Sequence, residues 1–396
     1  MVKPRSIHIF SNMAYSSSLY LMLTMLLFSC NTYVNGCYKS IISFGDSLAD
    51  TGNVKQLSRT SNVEPYSLSP PYGESFFQTP TGRCSNGRLI IDFVAESLGL
   101  PFIPPSQAIN NFSRLGRGVN YAVAGATALG TSFHEARGVV NMTEESLGVQ
   151  LEWFKESLPS ICSSVSDCKN LIGHSLILMG EIGGNDYNYA LIAGKSIDEV
   201  ETYPPFVIKA VISAVNELIE LGANTLVIPG NLPIGCSASY LTIFYGSNEV
   251  QYDNSTGCII QLNKLARYHN ELLQTELNQI REIHPEVNII YADYYNAAMQ
   301  FFRNPYKYGF TNGALKACCG GGGPFNYNPS VACADPKSTL CDQPDTYVNW
   351  DGFHLTEAAY KVIFKSLFEG SFTSPKFNSL CPTSMLQGVE EFSSFM

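Results

Sequence analysis

The sequence predicts an α/β fold in which a mainly parallel β-sheet is covered by helices on both faces. Short apolar runs, typical of buried strands, alternate with longer segments in which apolar residues recur at helical spacing. The predicted strands are apolar on both sides, as strands inside a parallel sheet are. Neither an internal repeat nor a linker divides the sequence beyond its N-terminal segment. We therefore expect one large domain over residues 37–396.

The predicted elements follow one another along the chain. Apolar runs predict strands at 41–44, at the start of 118–128, and at 175–180, 225–228 and 287–291. Helical spacing predicts helices at 87–98, 147–158, 205–221, 260–283 and 356–368. Pro285 ends the fourth helix, and Thr356 with Glu357 gives the last helix an N-terminal signal. Residues 54–86 are rich in Ser, Pro, Gly and Tyr, which predicts a long surface loop.

Composition limits the class of protein. Of the 396 residues, 45% are hydrophobic and 15% are charged, which suffices for a large core and excludes an intrinsically disordered chain. The net charge of −10 argues against nucleic acid or an anionic membrane surface as a partner.

The N-terminus has the features of a secretory signal peptide. Lys3 and Arg5 precede the apolar run 19–28, and small or polar residues follow that run. The run is too short to span a bilayer. We predict a signal peptide over residues 1–36, cleaved between about residues 29 and 36. An uncleaved signal anchor is the alternative.

The cysteines indicate an oxidising compartment. The chain has 12 cysteines and no C-x-x-C pair, so neither a zinc ribbon nor a redox motif is expected. Spacing allows local disulfides, without fixing their connectivity, within three groups: Cys162 and Cys168; Cys236 and Cys258; and Cys318, Cys319, Cys333 and Cys341. N-x-S/T sequences predict glycosylated surface loops at Asn111, Asn141 and Asn254. The tail beyond about residue 381 has no clear pattern and is expected to be poorly structured.

Residues 41–53 combine a predicted strand with a candidate nucleophile. The apolar run ends at Phe44 and breaks at Gly45-Asp46-Ser47. Where a strand turns sharply into a helix, a serine hydroxyl lies beside backbone N–H groups, so an attacking oxygen and part of an oxyanion site can form together. The alternative is that Asp46 or Ser47 only caps a helix.

Gly125 and Asn185 are candidates at the same edge of the sheet. Each follows a predicted strand, Gly125 among small residues and Asn185 in a glycine turn. Ligands of such sheets bind at the carboxyl ends of the strands. For the segment around Gly125, a tight strand-to-helix packing point is the alternative.

His354 is the candidate base. Asp351 precedes it by three residues on a glycine-containing loop before a helix, so the carboxylate and the imidazole can reach each other. A D-x-x-H sequence by itself is more often structural. The other histidines beyond the signal peptide have no acid placed to orient them and are expected to be solvated or structural: His134, His174, His269 and His284.

Four segments together carry a family resemblance. They resemble the four blocks of the GDSL (SGNH) esterase/lipases and occur in the same order: residues 44–53, 120–126, 183–186 and 350–354. Three further segments resemble features of the plant members of this family: residues 81–88, 228–236 and 318–327. Within the family, the chain resembles plant secreted esterases of acylated specialised metabolites, such as acetylajmalan esterase and sinapine esterase. Ala124 departs from the pattern, because many members have glycine there.

The resemblance implies a three-layer α/β/α sandwich with a mainly parallel, flavodoxin-like sheet. It also implies a serine esterase that works through an acyl-enzyme without a metal or a cofactor. Ser47 would be the nucleophile and would also donate its N–H to the oxyanion. Gly125 would donate a second N–H, and Asn185 its side-chain amide. His354 would act as base and then as acid, oriented by Asp351.

The resemblance further implies a small-molecule ester as substrate: an acetyl or other acyl ester of a plant metabolite, or a lipid. The chain is expected to be a monomer, without nucleic acid or stable membrane insertion, secreted to the apoplast or the vacuole. Three alternatives stay open: an acyltransferase on the same triad, a non-catalytic binding protein, and a lyase or cyclase. The Tyr- and Phe-rich segments near 65–77 and 240–252 would either shape an aromatic pocket or serve packing.

Overall fold

A computed structural model of the protein describes residues 37–60, 64–109 and 118–381. The predicted signal peptide, Asn111 and the tail predicted to be poorly structured lie outside the described residues. Within those three ranges, no helix is both long and apolar enough to cross a membrane.

A six-stranded sheet forms the centre of the fold. The strands of the chain are β1 Ser40–Phe44, β2 Gly118–Asn120, β3 Ser175–Met179, β4 Thr225–Pro229, β5 Asn288–Ala292, β6 Gly313–Ala317, β7 Cys319–Gly320, β8 Thr339–Leu340, β9 Tyr347–Asn349 and β10 Thr373–Ser374. The central sheet has the order β10-β5-β4-β3-β1-β2, and only β10 is antiparallel. Its parallel part has the 2-1-3-4-5 order of flavodoxin-like sheets. The prediction of an α/β fold with a mainly parallel sheet is confirmed.

Helices connect the strands and cover the sheet. They are α1 Asn53–Leu57, α2 Ile90–Ser97, α3 Thr131–Glu135, α4 Leu147–Ile161, α5 Val165–Gly173, α6 Gly184–Ile192, α7 Ile197–Val200, α8 Pro204–Glu220, α9 Ala238–Ile243, α10 Ile260–Ile283, α11 Tyr294–Arg303, α12 Glu357–Phe364 and α13 Phe377–Leu380. A π-helical turn over Lys365–Glu369 extends α12. The long predicted helices are present within a few residues of their expected ends. Most of the helices that were not predicted are too short to show a clear period.

The sheet separates two apolar clusters, which gives the three layers. Side chains alternate between the faces of a strand, so β1 sends Ile42 and Phe44 to one cluster and Ile41 to the other. Helices α4, α8 and α10 pack on the first cluster, and α2, α11 and α12 on the second. Phe44 stacks on Tyr121 with 5.5 Å between ring centroids and meets Phe154 edge-on at 5.7 Å. These contacts fix the end of β1, where the candidate nucleophile follows.

The prediction of a surface loop over 54–86 is wrong for part of that segment. It contains most of α1, and residues 82–87 are buried. Arg83 enters the interior because its guanidinium donates to both carboxylate oxygens of Asp92 in α2, at 2.8 and 2.7 Å. It also donates to the carbonyl of Thr51 at 3.1 Å. A buried charge needs such partners, and the composition of the segment gives no sign of them.

Disulfides close both local and long loops. Four bridges form within the three groups that the sequence allowed: Cys162–Cys168, Cys236–Cys258, Cys318–Cys341 and Cys319–Cys333. A fifth bridge, Cys37–Cys381, was not predicted and joins residues separated by 344 positions. Among the described residues, the free cysteine is Cys84, which is buried.

Candidate active site

Ser47 lies in a turn directly after β1, at the carboxyl edge of the sheet. The carbonyl of Asp46 accepts the N–H groups of Ala49 at 3.1 Å and Asp50 at 2.9 Å, which closes the turn. Helix α1 begins only at Asn53. The chain thus turns sharply after β1, as expected, but a regular helix starts only after a further turn, and Ser47 stands at the predicted edge.

Gly45 fixes the start of this turn. The side-chain amide of Gln150, in α4, donates to the Gly45 carbonyl at 2.8 Å and accepts its N–H at 2.9 Å. Gly45 has a φ of +139°, and a Cβ there would lie 3.0 Å from the carbonyl oxygen of Glu181. Glycine is thus required for the close approach of the chain after β1 to the chain after β3.

Ser47, His354 and Asp351 form a continuous hydrogen-bond chain. The Ser47 hydroxyl lies 2.8 Å from His354 Nε2, and His354 Nδ1 lies 2.7 Å from Asp351 Oδ2. Asp351 Oδ1 also accepts the backbone N–H groups of Phe353 at 3.1 Å and His354 at 2.9 Å. The loop that carries the acid and the histidine ends where α12 begins, at Glu357. The structure therefore brings together residues that are 307 positions apart in the chain.

Electrostatics stabilise the ion pair that this chain would form. Burial opposes the ionisation of Asp351, but the charge of His354 and its hydrogen bonds outweigh that effect and lower the pKa of Asp351 to about 2. Burial likewise disfavours the imidazolium, yet the charge of Asp351 holds the pKa of His354 well above its ordinary value. The arrangement thus favours a proton on His354 beside an ionised Asp351.

Tyr72 and Cys84 contact the Asp351–His354 pair, and the sequence did not predict either contact. The Tyr72 hydroxyl donates to Asp351 Oδ2 at 2.7 Å, and its buried ring meets Trp350 edge-on at 5.7 Å. The buried Cys84 thiol faces the His354 ring. Tyr72 and Cys84 lie in the segment taken for a surface loop, where no periodicity marks a buried position. Cys84 lies in the 81–88 segment and Tyr72 in the 65–77 segment, which the sequence singles out, but neither pattern shows a contact with Asp351 or His354.

The loop at Gly125 presents a free N–H. The Ala124 N–H donates to Asp50 Oδ2 at 2.9 Å, so alanine in place of glycine leaves this contact intact. The Tyr189 hydroxyl donates to the Gly125 carbonyl at 2.5 Å. Gly125 has a φ of +88°, and a Cβ there would lie 2.8 Å from that hydroxyl. Among the described residues, the N–H groups of Ser47 and Gly125 find no protein acceptor, so both can serve a ligand.

Asn185 stands in the first turn of α6. Its Nδ2 donates to the carbonyl of Ala126 at 3.0 Å and to Asp46 Oδ2 at 3.2 Å. Its Oδ1 accepts from Asn188 Nδ2 at 3.2 Å, which agrees with this orientation of the amide. Both N–H bonds are therefore engaged in the resting protein. An oxyanion would have to share one of them with its present acceptor.

Aromatic side chains stand beside the histidine. Phe353 meets Tyr240 and Tyr327 edge-on, with ring centroids 6.0 and 5.7 Å apart. By contrast, two phenylalanines of the 65–77 segment pack against Phe102. The segment near 240 therefore lies next to the site, whereas these two rings serve packing. Cavities of about 400 and about 260 Å³ are lined by neither Ser47 nor His354, although Tyr72 lines the larger one.

Two other histidines have structural contacts in the interior. His134 Nε2 lies 3.2 Å from Asp186 Oδ1, so the expectation that no acid is placed beside it is wrong. His269 Nδ1 lies 2.7 Å from the hydroxyl of Tyr187, and burial lowers the pKa of His269 to about 3. In the part of the chain that the structure describes, no group of three or more His, Cys, Asp and Glu residues is arranged to hold a metal ion.

Two of the predicted glycosylation sites are within the described residues. Asn254 is exposed, as a glycan requires. Asn141 is half-buried, and its Nδ2 lies 3.4 Å from the hydroxyl of Thr127. Glycosylation at each stays a prediction, and the geometry favours Asn254.

Comparisons with known proteins place the chain among its relatives. The family model for GDSL-like lipase/acylhydrolase matches residues 41–367. A GDSL esterase/lipase of Arabidopsis thaliana is 52% identical over 368 residues, which cover 92% of this chain and 91% of the relative. A second one from the same plant is 50% identical over 382 residues, covering 94% and 97%. The sinapine esterase of Brassica napus is 49% identical over 346 residues, covering 87% and 88%.

Proposed function

Because this chain belongs to the GDSL-like lipase/acylhydrolase family and is a carboxylic ester hydrolase, we propose that it cleaves its ester through an acyl-enzyme formed on Ser47. One observation carries the proposal. A continuous hydrogen-bond chain runs from the Ser47 hydroxyl to His354 at 2.8 Å and from His354 to Asp351 at 2.7 Å. A nucleophile, its base and the group that orients the base are what acyl transfer to a serine requires.

In the first half of the reaction, Ser47 Oγ attacks the ester carbonyl while His354 Nε2 takes the hydroxyl proton. The carboxylate of Asp351 stabilises the imidazolium that forms. The tetrahedral intermediate collapses when the bond to the leaving alcohol breaks, and the imidazolium gives its proton to that alcohol. The acyl group then remains on Ser47 as an ester.

In the second half, His354 takes a proton from water and the resulting hydroxide equivalent attacks the acyl-enzyme. Collapse of this second intermediate releases the carboxylic acid, and the proton on His354 returns to Ser47. In both halves of the reaction, the negatively charged oxygen of the tetrahedral intermediate would accept hydrogen bonds from the free N–H groups of Ser47 and Gly125 and from one N–H of Asn185. The two backbone donors are free, whereas Asn185 would share with the oxyanion the N–H that it donates to Asp46.

A fluorescent fluorophosphonate tests the nucleophile directly, because it reacts covalently with an activated serine. We expect the wild type to be labelled, and Ser47→Ala to give no label. His354→Ala should be labelled far more slowly, since the hydroxyl loses its base. No labelling of the wild type, or equal labelling of Ser47→Ala, would refute Ser47 as the nucleophile.

Removing the Asn185 amide should slow the chemical step. One oxyanion donor is worth about 3 kcal/mol, so we expect Asn185→Ala to lower kcat on the order of 100-fold. Steady-state kinetics with a p-nitrophenyl ester measure the change. Asn248 is exposed, and Asn248→Ala is the matched control that should keep wild-type kcat. An unchanged kcat in Asn185→Ala would exclude the side chain from the oxyanion site.

Removing the Tyr72 hydroxyl should impair the orientation of Asp351. A hydrogen bond to a charged group contributes about 1.5 kcal/mol or more, so we expect Tyr72→Phe to lower kcat/KM about tenfold. The ring and its contact with Trp350 would remain, so the melting temperature should change little. Tyr306 is 78% exposed, and Tyr306→Phe serves as the control. Equal kcat/KM in both variants would show that the Tyr72 hydroxyl does not support the triad.

We further propose that the protein is a secreted glycoprotein that acts on an acyl ester of a plant metabolite or on a lipid. The five disulfides of the described chain and the exposed Asn254 support export. N-terminal sequencing of protein recovered from the medium of expressing plant cells tests secretion, and retention of residues 1–28 would contradict cleavage. A panel of acetyl, sinapoyl, feruloyl and long-chain esters tests the substrate; no hydrolysis of any would contradict it.

A further inference from the structure

Two buried carboxyl groups face each other beneath the proposed nucleophile. Asp46 directly precedes Ser47, and Glu181 follows β3; the two residues are 2% and 5% exposed. Their side chains are in contact, close enough for one carboxyl group to donate to the other. The Asp46 N–H also donates to the Glu181 carbonyl at 3.0 Å, which holds the two residues together through the backbone. Two carboxyl groups can share a hydrogen bond only when one of them carries a proton.

The surrounding donors indicate that the proton belongs to Glu181. Asp46 accepts the Leu48 N–H at 2.9 Å on Oδ1 and the Asn185 amide at 3.2 Å on Oδ2, as an ionised carboxylate would. Glu181 Oε1 accepts no well-aligned hydrogen bond among the described residues. Burial, and after it the charge of Asp46, holds the pKa of Glu181 well above its ordinary value. Burial raises the pKa of Asp46 as well, but its hydrogen bonds and the charge of His354 oppose that shift. The geometry therefore favours a neutral Glu181 that donates to an ionised Asp46.

We propose that Glu181 is a positioning residue for the oxyanion site: as a neutral acid it holds the Asp46 carboxylate, which in turn orients the Asn185 amide. The inference deepens the proposed function and rests on it. If Glu181 lost its proton, two carboxylates would repel each other in a buried site, and Asp46 would move away from Asn185. The chain of contacts runs from Glu181 to Asp46 to Asn185 and touches the substrate only at its last member.

Several other titratable groups surround this pair. They are Asp186 and Tyr187 on α6, His269 on α10, Tyr294 on α11 and His354 after β9. Burial keeps His269 neutral and raises the pKa values of both tyrosines above the ordinary value for tyrosine. These groups are present in both the wild type and a Glu181 variant, so a comparison of the two isolates the carboxyl group.

The stability of Glu181→Gln against pH tests the proton directly. Because the pKa of Glu181 is raised, the folded chain keeps a proton that the unfolded chain releases above the ordinary glutamate pKa. The stabilisation is complete below that pH and is lost as pH rises toward the folded pKa. Glutamine donates an N–H but does not titrate. Above the ordinary glutamate pKa and below the raised pKa of Glu181 in the folded protein, we expect the unfolding constant of the wild type relative to Glu181→Gln to rise with pH, by up to tenfold per pH unit.

Urea unfolding at three pH values gives this ratio without any measurement of activity. Glu282 is exposed, and the ratio of the wild type to Glu282→Gln should not change with pH. A wild type and a Glu181→Gln variant with parallel pH dependence would overturn the inference, because Glu181 would then be ionised in the folded protein.

Kinetics test the positioning role. We expect Glu181→Gln to keep kcat within about threefold of the wild type, because glutamine still donates to Asp46. Glu181→Met, which cannot donate, should lower kcat about 30-fold with little change in KM. If Glu181→Gln and Glu181→Met had the same kcat, Glu181 would not be a positioning residue for the oxyanion site. Fluorophosphonate labelling separates the two proposals. If the wild type is not labelled, Ser47 is not the nucleophile. If the wild type is labelled but Glu181→Gln and Glu181→Met have the same kcat, only the positioning role of Glu181 is refuted.

Discussion

Replacing Asp351 with asparagine is expected to lower kcat by about 10⁴-fold while the fold stays intact. Asparagine cannot stabilise the imidazolium, because it carries no charge. Its amide can also donate to His354 Nδ1, which leaves the proton on Nε2 and deprives Ser47 of its base. The backbone N–H groups that Asp351 Oδ1 accepts would still find the amide oxygen, so the loop before α12 should keep its shape.

The pH profile gives a second readout of the same substitution. In the wild type, kcat/KM should rise as His354 loses its proton, at a pH above the ordinary histidine pKa, because Asp351 holds that pKa up. In Asp351→Asn the rise should move to lower pH. Asp342 is exposed, and Asp342→Asn should behave as the wild type does. A loss of less than tenfold, or an unmoved profile, would contradict the role of Asp351.

Removing the Cys37–Cys381 disulfide should lower the free energy of unfolding by about 5 kcal/mol. The bridge closes a loop of 344 residues, and constraining so long a loop removes much of the entropy of the unfolded chain. The bridge also ties the chain just before β1 to the end of α13, where Tyr38 packs against Phe377 with ring centroids 6.2 Å apart. Ser47 lies at the other end of β1, so specific activity of the folded protein should be retained.

Urea unfolding of the double variant Cys37→Ala/Cys381→Ala measures this loss. The matched control is Cys162→Ala/Cys168→Ala, which opens a loop of only 6 residues and should lower the free energy of unfolding by about 2 kcal/mol. If the long bridge contributes no more than the short one, loop entropy is not the reason for its effect.

The layers of the fold could be predicted because they follow from local patterns. Helix α10 was expected over 260–283 and has those bounds, since its apolar period continues until Pro285. Strands β1 and β3 were recognised as apolar runs, and they pair in parallel with Ile42 beside Ile177. Residues that follow such strands must meet at one edge of the sheet. The sequence pattern alone therefore predicts that Ser47 and Asn185 lie near each other.

What could not be predicted depends on contacts between distant segments. Tyr72 donates to Asp351 across 279 positions, from a segment whose composition resembles a surface loop. The pairing of Asp46 with Glu181 arises only because β1 and β3 are neighbours in the sheet. Periodicity reports which face of an element is buried but not which polar groups meet there. Buried polar partners of a site therefore need the three-dimensional structure.

The central claim is that Ser47 carries the acyl group during turnover. Rapid acid quench after mixing with p-nitrophenyl acetate, followed by peptide mass spectrometry, tests it most directly. We predict one acetyl group on the wild-type peptide that contains Ser47, and neither this adduct nor appreciable hydrolysis in Ser47→Ala. An acetyl group on a different residue, or a Ser47→Ala variant that hydrolyses the ester at the wild-type rate, would contradict the account.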